Sequence, residues 1–238
     1  MYAVILAAGI ASRLRPLTDS TPKCLLTVKG KSILGMMIEN LCSSGIEHFV
    51  LVTGYLEDQI HRFIKENYPA VKVTFISNEI FESTNNIYSL WLAKDIVKSK
   101  DFLLLDGDIV FDREIIDLLL NGRHHSALAL RTNGYVGEED IKVMTDKNGF
   151  VEEINKTINP AETAGESIGI ELFLEDSSVR LFDELQVMIE HEKKVNVWYE
   201  EAFQRIINLG TKIAAVNVGD LKCMELDTVE DFINAENL

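Results

Sequence analysis

Three basic side chains follow the first apolar run of the sequence. The stretch LAAGIASRLRPLTDSTPKCLL, residues 6–26, breaks at Gly9 and then carries Arg13, Arg15 and Lys23. Small residues let the backbone approach phosphate closely, arginine contacts phosphate through two parallel hydrogen bonds, and lysine supplies a point charge. The spacing matches neither G-x-x-x-x-G-K-[ST] nor G-x-G-x-x-G. The stretch therefore predicts a phosphate-binding loop of another kind, and the alternative is a solvated basic loop.

Carboxylates at two other places in the sequence could hold a divalent cation. Asp106 and Asp108 flank Gly107 after an apolar run, and Glu225 and Asp227 are two residues apart. On a strand, residues two apart point to the same face, so Glu225 and Asp227 would face the same side and share a site with Asp108. Carboxylate oxygens suit Mg²⁺. The alternatives are an ordinary Asp-Gly turn and an edge strand with its polar face in water.

The apolar patterns of the first half indicate the elements that would position these groups. Strands are predicted over residues 2–7, 48–54, 71–77 and 101–108, and helices over 33–41, 56–67, 86–97 and 112–120. Strands that alternate with helices predict an α/β fold with a doubly wound, mainly parallel mixed sheet. Ligands bind at the carboxyl edge of such a sheet. The loop at Gly9, the Gly54-Tyr55 turn and the Asp106–Asp108 turn should therefore meet there.

The second half is predicted to add strands and helices around the same edge. The pattern indicates a hairpin with Asn148-Gly149 at its turn, later strands over 166–174, 212–219 and 222–227, and helices over 176–190, 200–209 and 228–235. We interpret residues 1–238 as one domain. Residues 1 to about 131 would form its ligand-binding core, and residues from about 132 to 238 would complete a pocket for a second substrate.

The composition argues against several classes of partner. A net charge of −15 repels nucleic acid and anionic membranes, and no apolar run approaches the ~20 residues that span a bilayer. Any phosphate ligand would need cations gathered locally. Three widely spaced cysteines predict neither disulfides nor a zinc site. We therefore expect a cytoplasmic protein that binds no nucleic acid and does not insert into membranes. Its oligomeric state stays open, a homodimer included.

Two stretches carry a resemblance to a known family. Residues 6–26 resemble the pattern L-A-A-G-x-G-x-R-L-x-P-x-T-x-x-x-P-K of nucleoside-triphosphate transferases, which join a nucleotide to a phosphorylated small molecule. TNNIYSLWLAKD, residues 84–95, is similar to the N-N-x-Y-S-L stretch of cytidylyltransferases for phosphocholine, 2-aminoethylphosphonate and related compounds. Ala11 stands where the family usually has glycine. We expect residue 11 to keep a negative φ, with Gly9 and Ser12 making the close approach to phosphate.

The resemblance implies a Rossmann-like nucleotidyltransferase fold and transfer of CMP from CTP to a small phosphate or phosphonate acceptor, with Mg²⁺ as cofactor and pyrophosphate as product. It implies Arg13, Lys23 and Asp108 as catalytic residues, and Asp108, Glu225 and Asp227 as metal ligands. The nucleotide-binding residues would be Leu6, Ala8, Gly9, Ser12, Arg13, Lys23, Gly54, Tyr55, Asn85 and Asp106. The acceptor-binding residues would be Asn86, Tyr88, Lys142, Lys156, Glu171, Trp198, Tyr199 and Glu200.

Several alternatives stay open on the sequence alone. The stretch NVWYEEAF offers both aromatic rings, which suit a quaternary ammonium, and carboxylates, which suit a primary ammonium. We therefore expect an amine-bearing phosphate or phosphonate without choosing between phosphocholine and 2-aminoethylphosphonate. A sugar-1-phosphate nucleotidyltransferase is a rival enzyme, as is a glycosyltransferase that uses Asp106 and Asp108 for its metal. A nucleotide-binding module without turnover is the rival outside the enzymes.

Overall fold

The protein folds as strands and helices that alternate along the chain. The computed structural model describes residues 1–121, 124–134 and 136–235. The strands are β1 (Tyr2–Ala7), β2 (Thr27–Val28), β3 (Lys31–Ser32), β4 (His48–Thr53), β5 (Lys72–Ser77), β6 (Phe102–Asp106), β7 (Ile109–Phe111), β8 (Ser126–Arg131), β9 (Lys142–Thr145), β10 (Val151–Asn155), β11 (Gly165–Phe173), β12 (Ile213–Asn217) and β13 (Cys223–Glu225). The α-helices are α1 (Ile33–Ser43), α2 (Glu57–Asn67), α3 (Asn86–Leu92), α4 (Lys94–Val97), α5 (Glu114–Asn121), α6 (Glu175–Gln186), α7 (Glu200–Asn208) and α8 (Val229–Ala235).

A nine-stranded mixed sheet with a parallel centre organises the described residues. β1 lies between β4 and β6, β5 follows β4, and all three pairings are parallel. β11 runs antiparallel to β6 and also pairs with β8 and β9, while β12 lies parallel to β8. This arrangement confirms the predicted α/β class. Because β11 pairs with β6, a single sheet joins the two halves of the chain.

Both faces of the central strands are buried. In β1, Ala3 and Ile5 pack into one hydrophobic layer with residues of α1 and α2, and Val4 and Leu6 pack into the opposite layer with residues of α3, α6 and α7. A strand covered on both faces needs apolar side chains at every position, which is why these strands read as continuous apolar runs. The helices thus leave the strand ends, and not the strand faces, for ligands.

Local signals place several boundaries well. Ser32 caps α1 by accepting a hydrogen bond from the Gly35 N–H at 3.1 Å, and Gly45 ends that segment with a φ of 82°. The predicted hairpin is also present, because β9 and β10 pair antiparallel and Gly149 has a φ of 82°. These features confirm the predicted helix start, helix stop and turn.

Other boundaries differ from the prediction. The helix expected over 86–97 is two helices, since the Ala93 N–H bonds to the Leu90 carbonyl in a tightened turn and α4 begins after it. β13 ends at Glu225, so Asp227 lies beyond the strand, and the expectation that strand alternation aligns the two carboxylates is wrong. No helix in the described ranges is long and apolar enough to cross a membrane.

Candidate active site

The loop that follows β1 is fixed from the side by the turn after β4. The Tyr55 N–H donates to the Ala8 carbonyl at 3.1 Å, and the Tyr55 hydroxyl donates to the Thr18 carbonyl at 2.9 Å. A side chain at Gly54 would place Cβ 3.0 Å from the Ala8 carbonyl oxygen and 2.9 Å from the Phe81 ring, so the ring or the loop would have to shift. The Gly54-Tyr55 turn thus positions the loop without lining the cavity.

Ala11 adopts the left-handed conformation, with φ 51° and ψ 51°. The expected negative φ is wrong. The physical reason lies in the turn that follows, because the Ala11 carbonyl accepts from the Leu14 N–H at 3.0 Å and from the Thr18 hydroxyl at 2.9 Å. A non-glycine residue in this region costs about 1–2 kcal/mol. The glycine usual at this position in the resembling family would have indicated this conformation.

Lys23 lies between two carboxylates that come from distant parts of the chain. Its Nζ donates to Asp108 Oδ2 and to Asp227 Oδ1, both at 2.6 Å. Arg13 Nη2 donates to the other oxygen of Asp227 at 3.0 Å. The Lys23 side chain is 11% exposed, whereas that of Arg13 is 67% exposed. The predicted catalytic residues therefore form one connected group.

Two backbone contacts bring the acidic segments to the loop. The Gly107 N–H donates to the Leu6 carbonyl at 3.0 Å, and a Cβ at Gly107 would lie 2.5 Å from that oxygen, so the turn after β6 requires glycine. The Leu226 N–H donates to the Asp108 carbonyl at 3.1 Å. This bond holds the end of β13 against the β6–β7 turn, and so it places Asp227 beside Asp108.

The charges in this group act on one another. Burial alone would lower the pKa of Lys23, but the negative charges of Asp108 and Asp227 outweigh it and raise that pKa. Burial alone would raise the pKa of Asp227, but Lys23 and then Arg13 lower it. Lys23 is therefore an ammonium and Asp227 a carboxylate throughout the neutral pH range.

Four further carboxyl groups lie close together without enough cations. The pKa of Asp106 is raised mainly by burial and then by the charges of Asp108 and Glu200. The pKa of Glu171 is also raised, mainly by burial and then by the charges of Asp106 and Glu200. Burial raises the pKa of Glu200 to about 7. The pKa of Glu225 is raised to about 8, mainly by desolvation from surrounding protein atoms and then by the charge of Asp108. The residue is nevertheless open to solvent in the cavity. For Asp106, Glu171 and Glu200, removal of the carboxylate from water without matching positive charge is costly.

The predicted metal ligands have unequal capacity for a cation. Asp108 Oδ1 is buried without a hydrogen-bond partner, whereas both oxygens of Asp227 are taken by Lys23 and Arg13. In the part of the chain that the structure describes, no three His, Cys, Asp or Glu side chains are arranged as a metal cluster. Mg²⁺ commonly uses one or two carboxylates, with substrate phosphates and water completing its shell. Asp108 and Glu225 fit that requirement better than Asp227 does.

These residues surround a cavity of about 630 Å³ at the carboxyl edge of the sheet. That volume suits a small-molecule ligand. Among the residues expected from the sequence, those that line it are Leu6, Ala8, Gly9, Arg13, Lys23, Asn85, Asn86, Asp106, Asp108, Lys156, Trp198, Glu200, Glu225 and Asp227. The structure therefore brings together residues from both halves of the chain.

Comparison with known proteins is consistent with this geometry. The sequence profile of the nucleotidyl transferase family matches residues 2–143. The chain belongs to that family. Its members transfer nucleotides, and this chain is accordingly a nucleotidyltransferase.

Individual relatives of this nucleotidyltransferase differ in their named substrates. A CTP:phosphoglutamine cytidylyltransferase of Campylobacter jejuni is 28% identical over 250 residues, 97% of each protein. A 2-aminoethylphosphonate cytidylyltransferase of Lancefieldella rimae is 35% identical over 114 residues, 48% of this chain and 45% of that protein. A UTP–glucose-1-phosphate uridylyltransferase of Haloferax volcanii is 34% identical over 127 residues, 53% and 51% of the two chains.

The fold also matches a solved structure over almost its whole length. The CTP:phosphocholine cytidylyltransferase of Streptococcus pneumoniae superposes with a TM-score of 0.80 at 23% sequence identity, covering 99% of this chain and 97% of that one. At that identity the likeness concerns the fold alone. It confirms the Rossmann-like nucleotidyltransferase fold that the resemblance implied.

Some expected site residues do not line the nucleotidyltransferase cavity. Lys142 is 1% exposed, and its Nζ donates to the backbone carbonyls of Glu138 and Lys156 at 2.8 and 2.7 Å. A lysine so enclosed supports the hairpin, and the expectation that it meets the acceptor is not met in this structure. Ser12, Gly54, Tyr55, Tyr88, Glu171 and Tyr199 likewise stand outside the cavity lining.

Tyr199 and Asn86 are joined to each other and to the site. The Tyr199 N–H donates to Asn86 Oδ1 at 2.9 Å, and the Tyr199 hydroxyl donates to Asp106 Oδ2 at 2.8 Å. Tyr199 is 0% exposed, so it cannot offer its ring face to a ligand. It instead fixes the carboxylate of Asp106, which does line the cavity.

Other lining residues of the nucleotidyltransferase were not expected. Asn78 and Phe81 follow β5, and Arg131 ends β8 and pairs with Glu166. Asn78 could have been found, because it follows a parallel strand of the same sheet, as the expected turns do. Arg131 could not, since no motif marks it and its place depends on how β8 pairs with β11.

Proposed function

We propose that the protein is a Mg²⁺-dependent cytidylyltransferase that transfers CMP from CTP to a small amine-bearing phosphate or phosphonate and releases pyrophosphate. The observation that carries this proposal is the connected group of Arg13, Lys23, Asp108 and Asp227 at the rim of the cavity. Cations that can contact phosphates and a carboxylate with a free oxygen stand side by side there. The names of the cytidylyltransferase relatives and the residues 84–95 support CTP as the nucleotide.

The reaction needs alignment and charge stabilisation more than proton transfer. An ionised oxygen of the acceptor attacks the α-phosphorus of CTP, a new P–O bond forms, and the bond to the β-phosphate breaks to release pyrophosphate. That oxygen already carries its negative charge at neutral pH, so no general base is required. Lys23 and Arg13 stabilise the charge on the phosphates. Bound Mg²⁺, held by Asp108 and Glu225, would neutralise phosphate charge.

The two substrates would occupy different parts of the cavity. The nucleotide would lie along Leu6, Ala8 and Gly9, which line the cavity. The acceptor's phosphate would meet Lys156, whose Nζ lies 4.4 Å from the centre of the Trp198 ring and 3.6 Å from a carboxylate oxygen of the exposed Glu139. A substrate phosphate can displace Glu139 from Lys156, because their contact is long and Glu139 is exposed.

A sugar-1-phosphate nucleotidyltransferase is the second candidate, because relatives of that kind match about half of the chain. A screen of CTP, UTP, GTP and dTTP against phosphocholine, 2-aminoethylphosphonate and glucose 1-phosphate, read by pyrophosphate release, separates the two. Pyrophosphate release with CTP and an amine-bearing acceptor is expected. Release only with a sugar phosphate would replace the proposal, and CTP binding without any release would indicate a binding module.

We also propose a cytoplasmic location, which the three free thiols Cys24, Cys42 and Cys223 support. Fractionation of the source cells with an antibody against the protein would test it. Recovery of the protein outside the cytoplasm would contradict it.

A further inference from the structure

An acidic floor closes one part of the cavity. We use that name for three carboxyl groups: Asp106 and Glu200, which line the cavity, and Glu171, which is buried behind them. Glu200 is 6% exposed and Glu171 is 1% exposed. One oxygen of each, Oε2, has no hydrogen-bond partner. Buried carboxylate oxygens without partners are rare, because each one forfeits the hydrogen bonds it made with water.

Each cation of the site has other partners, although the charges of Lys23 and Lys156 lower the pKa of Asp106 and Glu200, respectively, by less than burial raises it. Lys23 is held by Asp108 and Asp227, and Arg131 pairs with Glu166. Lys156 lies over the Trp198 ring. Among the described residues the carboxyl groups of the acidic floor therefore outnumber the cations near them, and a ligand that brings N–H donors and positive charge would favour their ionised form and satisfy their oxygens.

The aromatic side chains are poorly placed to form a cage for a quaternary ammonium. In the described part of the chain, the aromatic rings that line the cavity are those of Phe81 and Trp198. Phe81 packs edge-on against Tyr55, beside the loop that follows β1. Lys156 lies over a face of the Trp198 ring. Tyr199, which contacts the acidic floor, is buried and donates its hydroxyl to Asp106.

We infer that the acidic floor binds a primary ammonium group of the acceptor and discriminates against a quaternary ammonium. This inference rests on the proposed function. A primary ammonium presents three N–H donors, which match the unpartnered oxygen of Glu200 and the carboxylate of Asp106. A trimethylated nitrogen has no donor and leaves those oxygens without partners. The substrate class is thus a small phosphate or phosphonate that carries a free amine.

Three acceptors that differ only at the nitrogen test this inference. They are 2-aminoethyl phosphate, its trimethylated counterpart choline phosphate, and ethyl phosphate, which has no nitrogen. With CTP as the nucleotide, we expect kcat/KM for 2-aminoethyl phosphate to exceed that for either other acceptor about 10-fold or more, the range of a hydrogen bond to a charged group. Equal or better use of choline phosphate would overturn the inference and leave cytidylyl transfer intact.

A matched pair of variants shows whether Glu200 is responsible. Glu200→Gln keeps the shape and removes the charge, and it should lower the preference for 2-aminoethyl phosphate over ethyl phosphate to about 3-fold or less while KM for CTP stays unchanged. Glu201→Gln is the control, because the neighbouring Glu201 pairs with Lys194 at 2.9 Å and does not line the cavity. A preference that Glu200→Gln leaves intact would contradict the assignment.

A third outcome concerns the proposed function. If no acceptor releases pyrophosphate from any nucleoside triphosphate, the proposed function fails, and calorimetry then decides the inference. Tighter binding of 2-aminoethyl phosphate than of choline phosphate to the wild-type protein, lost in Glu200→Gln, would support the acidic floor as an ammonium site. Equal binding of both compounds would refute it.

Discussion

Lys23 Nζ and Asp227 Oδ1 lie 2.6 Å apart although 204 positions separate the two residues in the sequence. Asp108 Oδ2 contacts the same nitrogen at the same distance. The lysine thus joins the loop after β1, the turn after β6 and the segment after β13. If substrate phosphates bind Lys23, as we propose, they must share or take over a cation that already has two partners. Binding of the nucleotide would then be coupled to the arrangement of these carboxylates.

Replacing Lys23 by alanine tests the central contact. We expect turnover to fall at least ~100-fold, which corresponds to ~2.7 kcal/mol of lost transition-state stabilisation. Steady-state pyrophosphate release measures it. Lys31→Ala is the control, because Lys31 pairs with the exposed Glu39 at 2.7 Å and should keep wild-type turnover. Near wild-type turnover of Lys23→Ala would refute its catalytic role.

Asp108→Asn tests the proposed metal site. Asp108 Oδ1 has no partner in the structure and is free to bind a cation. We expect turnover to drop ~100-fold or more, an effect of ~2.7 kcal/mol, and the Mg²⁺ concentration for half-maximal rate to rise. A titration of Mg²⁺ at saturating substrates measures both. Asp95→Asn, on the exposed side of α4, should change neither quantity, and an unchanged Mg²⁺ requirement in Asp108→Asn would argue against metal binding there.

The stability of the protein should depend on pH through Glu200. Burial raises the pKa of Glu200 to about 7 in the folded state, against 4.5 for an ordinary glutamate. Between these two values the folded state binds more protons than the unfolded state. This contribution to the free energy of unfolding is therefore full below pH 4.5 and is lost as the pH rises through about 7.

Glu200→Gln should remove that dependence. Between pH 5 and pH 8, the free energy of unfolding of the variant should rise by about 1–3 kcal/mol relative to that of wild type. Urea unfolding at both pH values measures the difference, and Glu201→Gln should show the wild-type dependence. If the free energies of unfolding of Glu200→Gln and wild type change equally between the two pH values, the raised pKa of Glu200 is refuted.

The backbone at Ala11 offers a test by stabilisation. Ala11 has a φ of 51°, where glycine is free of the steric penalty on a side chain. We expect Ala11→Gly to raise the free energy of unfolding by up to about 1 kcal/mol, because relief of strain outweighs the added freedom of the unfolded chain. Ala93→Gly, at a φ of −76°, should lower it. Thermal unfolding compares them, and a destabilised Ala11→Gly would contradict the argument.

Tyr199→Phe tests whether Tyr199 positions Asp106. The substitution removes the 2.8 Å hydrogen bond to Asp106 Oδ2 and leaves a buried carboxylate oxygen without its donor. We expect a loss of about 1–3 kcal/mol in stability and a higher KM for the acceptor, with KM for CTP little changed. Tyr88→Phe is the control, since that ring packs on Trp91 and does not line the cavity. An equal rise in KM for the acceptor and KM for CTP would indicate a general structural effect and not the positioning of Asp106.

The sequence predicts the central sheet because its strands are buried on both faces and read as apolar runs. It also predicts that Lys23 and Asp108 meet, since loops after parallel strands share one edge of the sheet. Strand alternation did not predict the position of Asp227, because β13 has only three residues and ends before it. Asp227 is placed beside Lys23 by the Leu226–Asp108 backbone hydrogen bond.

Side-chain exposure was the harder part to predict. Lys142 and Tyr199 have types that suit an acceptor pocket, yet the structure encloses the first in backbone carbonyls and the second behind Asp106. Which face of a strand or helix turns inward is set by packing against distant elements. Those contacts are absent from any local pattern.

Among the described strands, the one that carries Glu225 pairs with β7 alone. β13 pairs with β7 through three residue pairs in a two-stranded sheet separate from the nine-stranded one. Cys223 and Leu226 pack in the core, but a ladder of three residue pairs gives this strand fewer backbone hydrogen bonds than the central strands have, and such elements open at lower free energy. Fluctuations that detach β13 would withdraw both Glu225 and Asp227 while β1, β4 and β6 remain folded. Amide hydrogens of β13 should therefore exchange with solvent before those of β1, and loss of activity on heating should precede loss of the global fold.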